Sequence, residues 1–388
     1  MPTPLLHHPL AASRTAAGRR MARRLTAGVA LVALPLGAAV GCGSAATAQK
    51  DSVQTSLQKA SDNLKASGST SFELRLEDPT GSLKKAATSG ADATKPEQAD
   101  LLLGGRVSFT VDPTGGKTLA DLQTMDPALP ITEQLKASNI AMTVQADGGA
   151  VVQVRLVGGD VYANVDVDKA SDLATKAGSP SDLGQQLDEA AAQAPAQLAP
   201  ILTDVRAGKW LKLPLAPYAE QLKALQPTPG ASASIDSRRL GMDLLNAVKP
   251  YVAVTDASSD GDTRVLDVKV QAKQALKAAV TSLKAMGGAV PGLAQLDTSS
   301  LDAIGDGTAN GQVTLESDHL TKITLDLGSA VALAPVGATP APDLSGALVT
   351  IEVDDSADDV TVPDDVSWVD LGALVDNALA SLGGGVRS

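Results

Sequence analysis

The chain has 388 residues, 44% hydrophobic but only 2% aromatic, with 44 acidic against 32 basic side chains and a formal net charge of −12. The acidic excess argues against nucleic acid as a partner and repels anionic lipid surfaces, and the scarcity of aromatic rings argues against stacked platforms for carbohydrate. A single cysteine leaves no disulfide, thiolate zinc site or covalent thiol catalysis once it is modified, so a core of Ala, Val and Leu has to hold the fold.

The first element is a leader. Arg14, Arg19, Arg20, Arg23 and Arg24 precede an apolar run from Leu25 to Val40, shorter than the roughly 20 residues a helix needs to cross a bilayer. It reads as a removable signal peptide over residues 1–41, with either Met1 or Met21 as the start. Ala39-Val40-Gly41-Cys42 places small residues before the lone cysteine, as a lipobox requires, although the usual leucine is absent at Ala39. Cys42 is therefore the expected lipid-attachment residue. An ordinary secretory signal with a chance cysteine is the alternative. Cleavage removes five basic residues and no acidic ones, leaving 27 against 44, a net charge of −17. One acyl chain, at about 0.8 kcal/mol per buried methylene, holds a protein only marginally, and two hold it stably. Residues 42–50 then form a lipidated tether, and the protein is expected at the outer face of the cytoplasmic membrane, anchored through Cys42. The remainder, about 345 residues, is long enough for a sizeable core.

Residues 51–388 read as folded. Ser52 to Ser67 sets Val53, Leu57, Ala60 and Leu64 on one helical stripe. Strands follow at Phe72–Leu76 and Val107–Val111, separated by a polar stretch from Gly81 to Asp100 that reads as a loop. From Asn139 to Val167 the alternation is clearest, with Gly148-Gly149 and Gly158-Gly159-Asp160 as turns. This is a meander with one wet face. Helical spacing returns around Leu183 to Ala192 and Gln197 to Arg206, and a short strand spans Lys209 to Leu213. Beyond a Pro/Gly/Ser connector come a helix from Asp236 to Val248, strands around Val252–Val254 and Leu266–Val270 with a turn at Ser258 to Asp262, and a helix from Gln271 to Met286. Gly287 to Gly311 is loop-rich. Val313–Leu315 and Ile323–Leu327 frame a hairpin at Ser317-Asp318-His319; after a Pro-rich loop, Val349–Val353 is a strand and Leu371 to Leu382 a closing helix. Trp368, just before that helix, reads as a core anchor.

The lipobox cysteine, the N-terminal helix, V-R-L-V-G-G-D-V-Y-A-N-V at Val154 to Val165, G-K-W-L-K-L at Gly208 to Leu213 and D-H-L-T-K-I at Asp318 to Ile323 resemble actinobacterial lipoproteins of the LppX/LprG type, which share the half-barrel of the carriers LolA and LolB. The resemblance implies an α+β fold, a curved antiparallel sheet with helices packed on its concave face. Against the family's shorter domain this chain carries insertions around Gly81 to Asp100, Lys169 to Arg206 and Gly287 to Gly311. The resemblance further implies a carrier of lipid or another hydrophobic ligand in an apolar cavity. Inward-facing Val and Leu read the same whether that cavity is open or filled, so the alternative is a non-enzymatic envelope lipoprotein that acts through protein contacts. Tyr162 and Trp210 lie on the opposite strand face from their apolar neighbours, as residues at a cavity rim or as partly buried packing residues.

Chemical motifs point away from catalysis. Thr114-Gly115-Gly116-Lys117-Thr118 imitates a phosphate loop, but its first glycine would fall at Val111, in a strand. Asp256, Ser258, Asp260, Gly261 and Asp267 approach a calcium-loop spacing without the terminal Glu and between strands; a hairpin is the better account. Asp354, Asp355, Asp358, Asp359, Asp364 and Asp365 read as a solvated acidic loop. His319 is the one histidine after the leader, no G-x-S-x-G elbow accompanies it, and Ser82-x-x-Lys85 lacks companion motifs. The expectation is no enzyme activity, no cofactor and no metal.

Overall fold

Residues 48–89, 93–126, 129–179, 182–215, 246–285, 305–331 and 343–369 are described by the computed structural model. Alternating apolar residues form strands β1 (Thr70–Glu77), β2 (Arg106–Pro113), β3 (Ser138–Ala146), β4 (Gly149–Val157), β5 (Asp160–Val165), β6 (Trp210–Pro214), β7 (Val252–Asp260), β8 (Thr263–Gln271), β9 (Thr308–Glu316), β10 (His319–Asp326), β11 (Leu348–Asp354) and β12 (Val366–Trp368). They join in one twelve-stranded sheet of order β12-β6-β5-β4-β3-β2-β1-β11-β10-β9-β8-β7. The sheet is curved and unclosed, and the fold is α+β, a half-barrel with helices on its concave face. Neighbours pair antiparallel except β12, which lies parallel to β6.

Register decides the character of each face. One row runs Val165, Val152, Val144, Val107, Leu74, Ile351, Ile323, Val313, Leu266 from β5 to β8 with no polar side chain. A second runs Leu211, Ala163, Val154, Met142, Phe109, Phe72, Val353. Because side chains alternate strictly across a strand, the other face is polar: Lys322, Glu352, Glu73, Ser108, Thr143, Gln153 and Asn164 stand in line across it.

Helices cover part of the apolar face. In α1 (Ala48–Ala66), Val53, Leu57 and Ala60 pack with Leu266, Val268, Val313 and Leu315, joined by Ala272, Ala275 and Ala279 of α9 (Ala272–Ala285). A second cluster joins Leu83 of α2 (Ser82–Thr88), Leu327 of α10 (Leu327–Val331), Leu344, Ala347 and Val349, with Leu74, Leu76 and Leu103 against it. Leu103 belongs to α3 (Pro96–Gly104). These clusters seal the face over β7 to β11 and one margin of β1.

The stretch from Gly81 to Asp100, expected as loop, instead holds α2 and most of α3. Asp78 caps α2, its carboxylate accepting the amides of Leu83 (3.2 Å) and Lys84 (2.8 Å), and Pro96 opens α3. Leu83, Ala87 and Ala99 are buried, a stripe too short to stand out among polar neighbours. Two further short helices, α4 (Leu119–Thr124) and α5 (Ile131–Lys136), follow β2. The crossover from β5 to β6 carries α6 (Val167–Lys176), α7 (Leu183–Gln193) and α8 (Ala199–Arg206). The turn expected at Ser258 to Asp262 is narrower: a bulge between Asp256 and Ser258 lets β7 continue, and Asp260 pairs with Thr263. At the next hairpin Ser317 and Asp318 both have positive φ (51° and 63°), as a tight two-residue turn requires, and His319 already belongs to β10. Trp368 is a correction. It is not a core anchor but stands on β12 with 68% of its surface exposed. The closing helix at Leu371 to Leu382, most of the helix at Asp236 to Val248 and residues 287–304 of the expected loop lie outside the described residues, while Thr308 to Gly311, expected as loop, already belong to β9.

Candidate functional site

Past these clusters the apolar face continues over β2 to β6, where α6 and α8 touch β4 and β6 and the side chains left most exposed stand on β2 and β3. Val107 is 38%, Phe109 40% and Met142 37% exposed there, and their neighbours Phe72, Leu74, Val144 and Val154 are half-buried. The chain has two phenylalanines, and they stand side by side in this patch, Phe72 opposite Phe109 and Phe109 opposite Met142. Contiguous exposed apolar side chains of this kind are candidates for a binding face. A methionine beside aromatic rings supplies a soft, adaptable contact. At its margin, Leu102 of α3 is 51% exposed and borders a small recess lined by Leu76, Leu83, Ala87, Ala99 and Leu103 with the stem of Lys84.

The arrangement offers surface and no chemistry. An acyl chain laid across these rows removes methylenes from water at about 0.8 kcal/mol each, and nothing in the rows around Phe109 offers a headgroup a hydrogen bond.

Tyr162 and Trp210 are on the polar face. Tyr162 pairs across strands with Arg155 and Lys212 and is only 3% exposed; Trp210 is half-buried. The guanidinium of Arg155 lies 4.9 Å from the Trp210 ring centre. The ammonium of Lys212 lies 5.5 Å from the Tyr162 ring and 4.4 Å from that of Trp368. A hydrogen bond to Asp160 holds the Lys212 ammonium above its ordinary pKa, against the opposing effect of burial and with help from Tyr162. The apolar rows pass instead through Ala163 and Leu211 beside these two residues. Cys42 lies outside the described residues.

The remaining motif residues are engaged in structure. His319 Nδ1 is 2.5 Å from Asp355 Oδ2, whereas Asp318 pairs with Lys59 (2.8 Å) and its carbonyl accepts from Asn63. Asp256 pairs with Arg264 (2.7 Å) and Asp267 accepts from Gln312 (3.0 Å). Gly115 and Gly116 form the turn after β2, with φ of 71° and 70°. Ser82 begins α2 and its hydroxyl turns to Asp78. Among the described residues no group of three or more His, Cys, Asp or Glu side chains is placed to hold an ion, and no helix is long and apolar enough to cross a membrane.

The sequence gives each site residue a strand and a face but not a neighbour. Phe72, Phe109 and Met142 are far apart along the chain, and only the β1-β2-β3 register brings them together. The one available signal is that both phenylalanines fall on the apolar phase of successive strands.

No family model and no curated protein matches the chain. Among solved structures it is similar to the crystal structure of the Mycobacterium tuberculosis lipoprotein LppX, at 10% identity and a TM-score of 0.28, over 80% of this chain and 97% of that one.

Proposed function

We propose that the protein is a lipoprotein of the LppX/LprG type, tethered by acylated Cys42 to the outer face of the cytoplasmic membrane, with residues 51–388 forming one domain that holds the acyl chains of a lipid against its open apolar face. The observation that carries this reading is the patch of Val107, Phe109 and Met142, left 38%, 40% and 37% exposed on the apolar face. The leader and its lipobox supply the membrane. A face without polar anchors suits chains rather than headgroups.

The reading is non-enzymatic. Among the described residues the imidazole of His319 has Asp355 as its hydrogen-bond partner, an exposed pair that ties the β10 start to the end of β11. A second reading, action through protein contacts, is favoured by one observation: Trp368 of β12 and Val362 of the segment leading to it are 68% and 54% exposed.

Mass spectrometry of organic extracts from protein purified without detergent tests the lipid reading. Stoichiometric lipid is expected from the wild type and a clear loss from Phe109→Asp. Protein that carries no lipid, yet gives one dominant cross-linked protein partner in cells that is lost on Trp368→Ala, favours the second.

A further inference from the structure

After β11 the chain does not turn back. Residues 355–365 leave Asp354 and pass along the polar face to the far edge, where they re-enter the sheet as β12. The anchors are spread along the path. The Ser69 hydroxyl donates to the Asp358 carbonyl at the start of β1; the buried Asp112 carboxylate of β2 accepts the Val360 amide at 3.0 Å; Arg155 of β4 donates to the Thr361 carbonyl at 2.9 Å; and the Trp210 amide of β6 donates to the Asp365 carbonyl at 3.3 Å. Val360 and Pro363 turn their side chains inward and are buried.

The length of this segment matters. From β11 to β12 the path spans seven strand spacings, roughly 34 Å at about 4.8 Å each. The peptide steps from Asp354 to Val366 reach at most about 43 Å when fully extended. Most of that reach is therefore in use. The segment also lies on the convex side, where curling the sheet further lengthens the path. A chain with little slack on that side resists curling.

We propose that residues 355–365 are a strap that limits how far the sheet curls and so keeps the apolar face over β2 to β6 open. The functional part of the proposal rests on that face being the lipid site; the mechanical part does not. Lengthening the strap by Gly-Ser-Gly-Ser between Val362 and Pro363 adds slack at an exposed position and removes no anchor. Spin labels on Gln145→Cys of β3 and Ser259→Cys of β7, on a Cys42→Ser background in the full chain, report the curl. The insertion is expected to shorten the label distance by about 5 Å, one strand spacing, and to weaken binding of cis-parinaric acid about threefold or more as the open form becomes less populated. Arg155→Ala, which frees the Thr361 carbonyl, moves both readouts in the same direction with unchanged circular dichroism. It serves as the decisive variant should the insertion not fold. An unchanged label distance in the folded variants overturns the strap. A wild type that does not bind cis-parinaric acid overturns the lipid reading, and the label distance alone then decides the strap.

Discussion

Phe109 combines two properties that rarely coincide in a core residue: it is central to an apolar row, between Phe72 and Met142, and it is 40% exposed. Because much of its ring already meets solvent, Phe109→Asp costs little stability, about 1 kcal/mol, while placing a charge where an acyl chain would lie. Binding of a fluorescent fatty acid is expected to fall at least about tenfold, the equivalent of 1.4 kcal/mol, with a thermal midpoint close to wild type. On the opposite face Glu77 gives a pH-dependent counterpart. Burial pushes its carboxyl up, but the hydrogen bond from Arg75 (Nε to Oε1, 2.8 Å) and the charges of Lys322 and Arg75 outweigh it and hold the group below its ordinary value of 4.5. A carboxylate depressed in the folded state stabilises it fully above the unfolded value, and that contribution is lost as pH falls through the folded one. Glu77→Gln is therefore expected to destabilise by about 1 kcal/mol at pH 7, and denaturant melts of the two proteins should converge below pH 4.5.

Strands are legible in the sequence, as are α7 and α8 by their helical spacing, but α2 and α3 are not, for a physical reason. Period-two alternation is a property of each strand alone, so β3, β4 and β5 are visible in Asn139 to Val167 without any knowledge of their partners. By contrast α2 and α3 depend on capping by Asp78, on Pro96 and on burial of Leu83, Ala87 and Ala99 against the sheet, none of which is periodic over a useful window. The three residues of β12 carry no pattern at all, and their pairing with β6 depends on the strap that delivers them. For the same reason the sequence misleads at Trp368: an indole ahead of a helical stripe suggests a core, yet its place on an edge strand is set by chain path. Gly311 of β9 is an element-scale requirement of another kind. It stands opposite Leu325 in the β9-β10 pair, and a Cβ there would fall 2.5 Å from the Thr324 carbonyl oxygen. The backbone cannot yield without opening the ladder, so Gly311→Ala is expected to cost about 1–3 kcal/mol, read by chemical denaturation. Gly148, in an open turn with nothing near its missing Cβ, has no such packing penalty; replacement by Asn, which tolerates its φ of 74°, is expected to be nearly neutral.

The whole molecule divides into a sealed half and an open half that share one sheet. Over β7 to β11 the apolar face is closed by α1, α9 and α10, and Leu266, Leu315 and Val349 are 0–1% exposed. Over β2 to β6 the same face keeps its apolar side chains but lacks cover at Val107, Phe109 and Met142. Local opening costs least where few apolar contacts are broken, so in lipid-free protein the amides of β3 and β4 should exchange faster than those of β8 and β9, although both pairs lie inside the sheet. A ligand on the open face adds stability by mass action, about 2.7 kcal/mol at a free concentration a hundredfold above its dissociation constant. That gain is local in origin: amides of β2 to β5 slow on adding fatty acid, while those of β8 and β9 change only as far as global unfolding limits them. Hydrogen exchange followed by mass spectrometry, with and without the fatty acid, reads both halves in one experiment. Equal protection of the two halves in the lipid-free state, or slowing confined to β8 and β9, would place the binding surface elsewhere and leave Phe72, Phe109 and Met142 as ordinary packing residues.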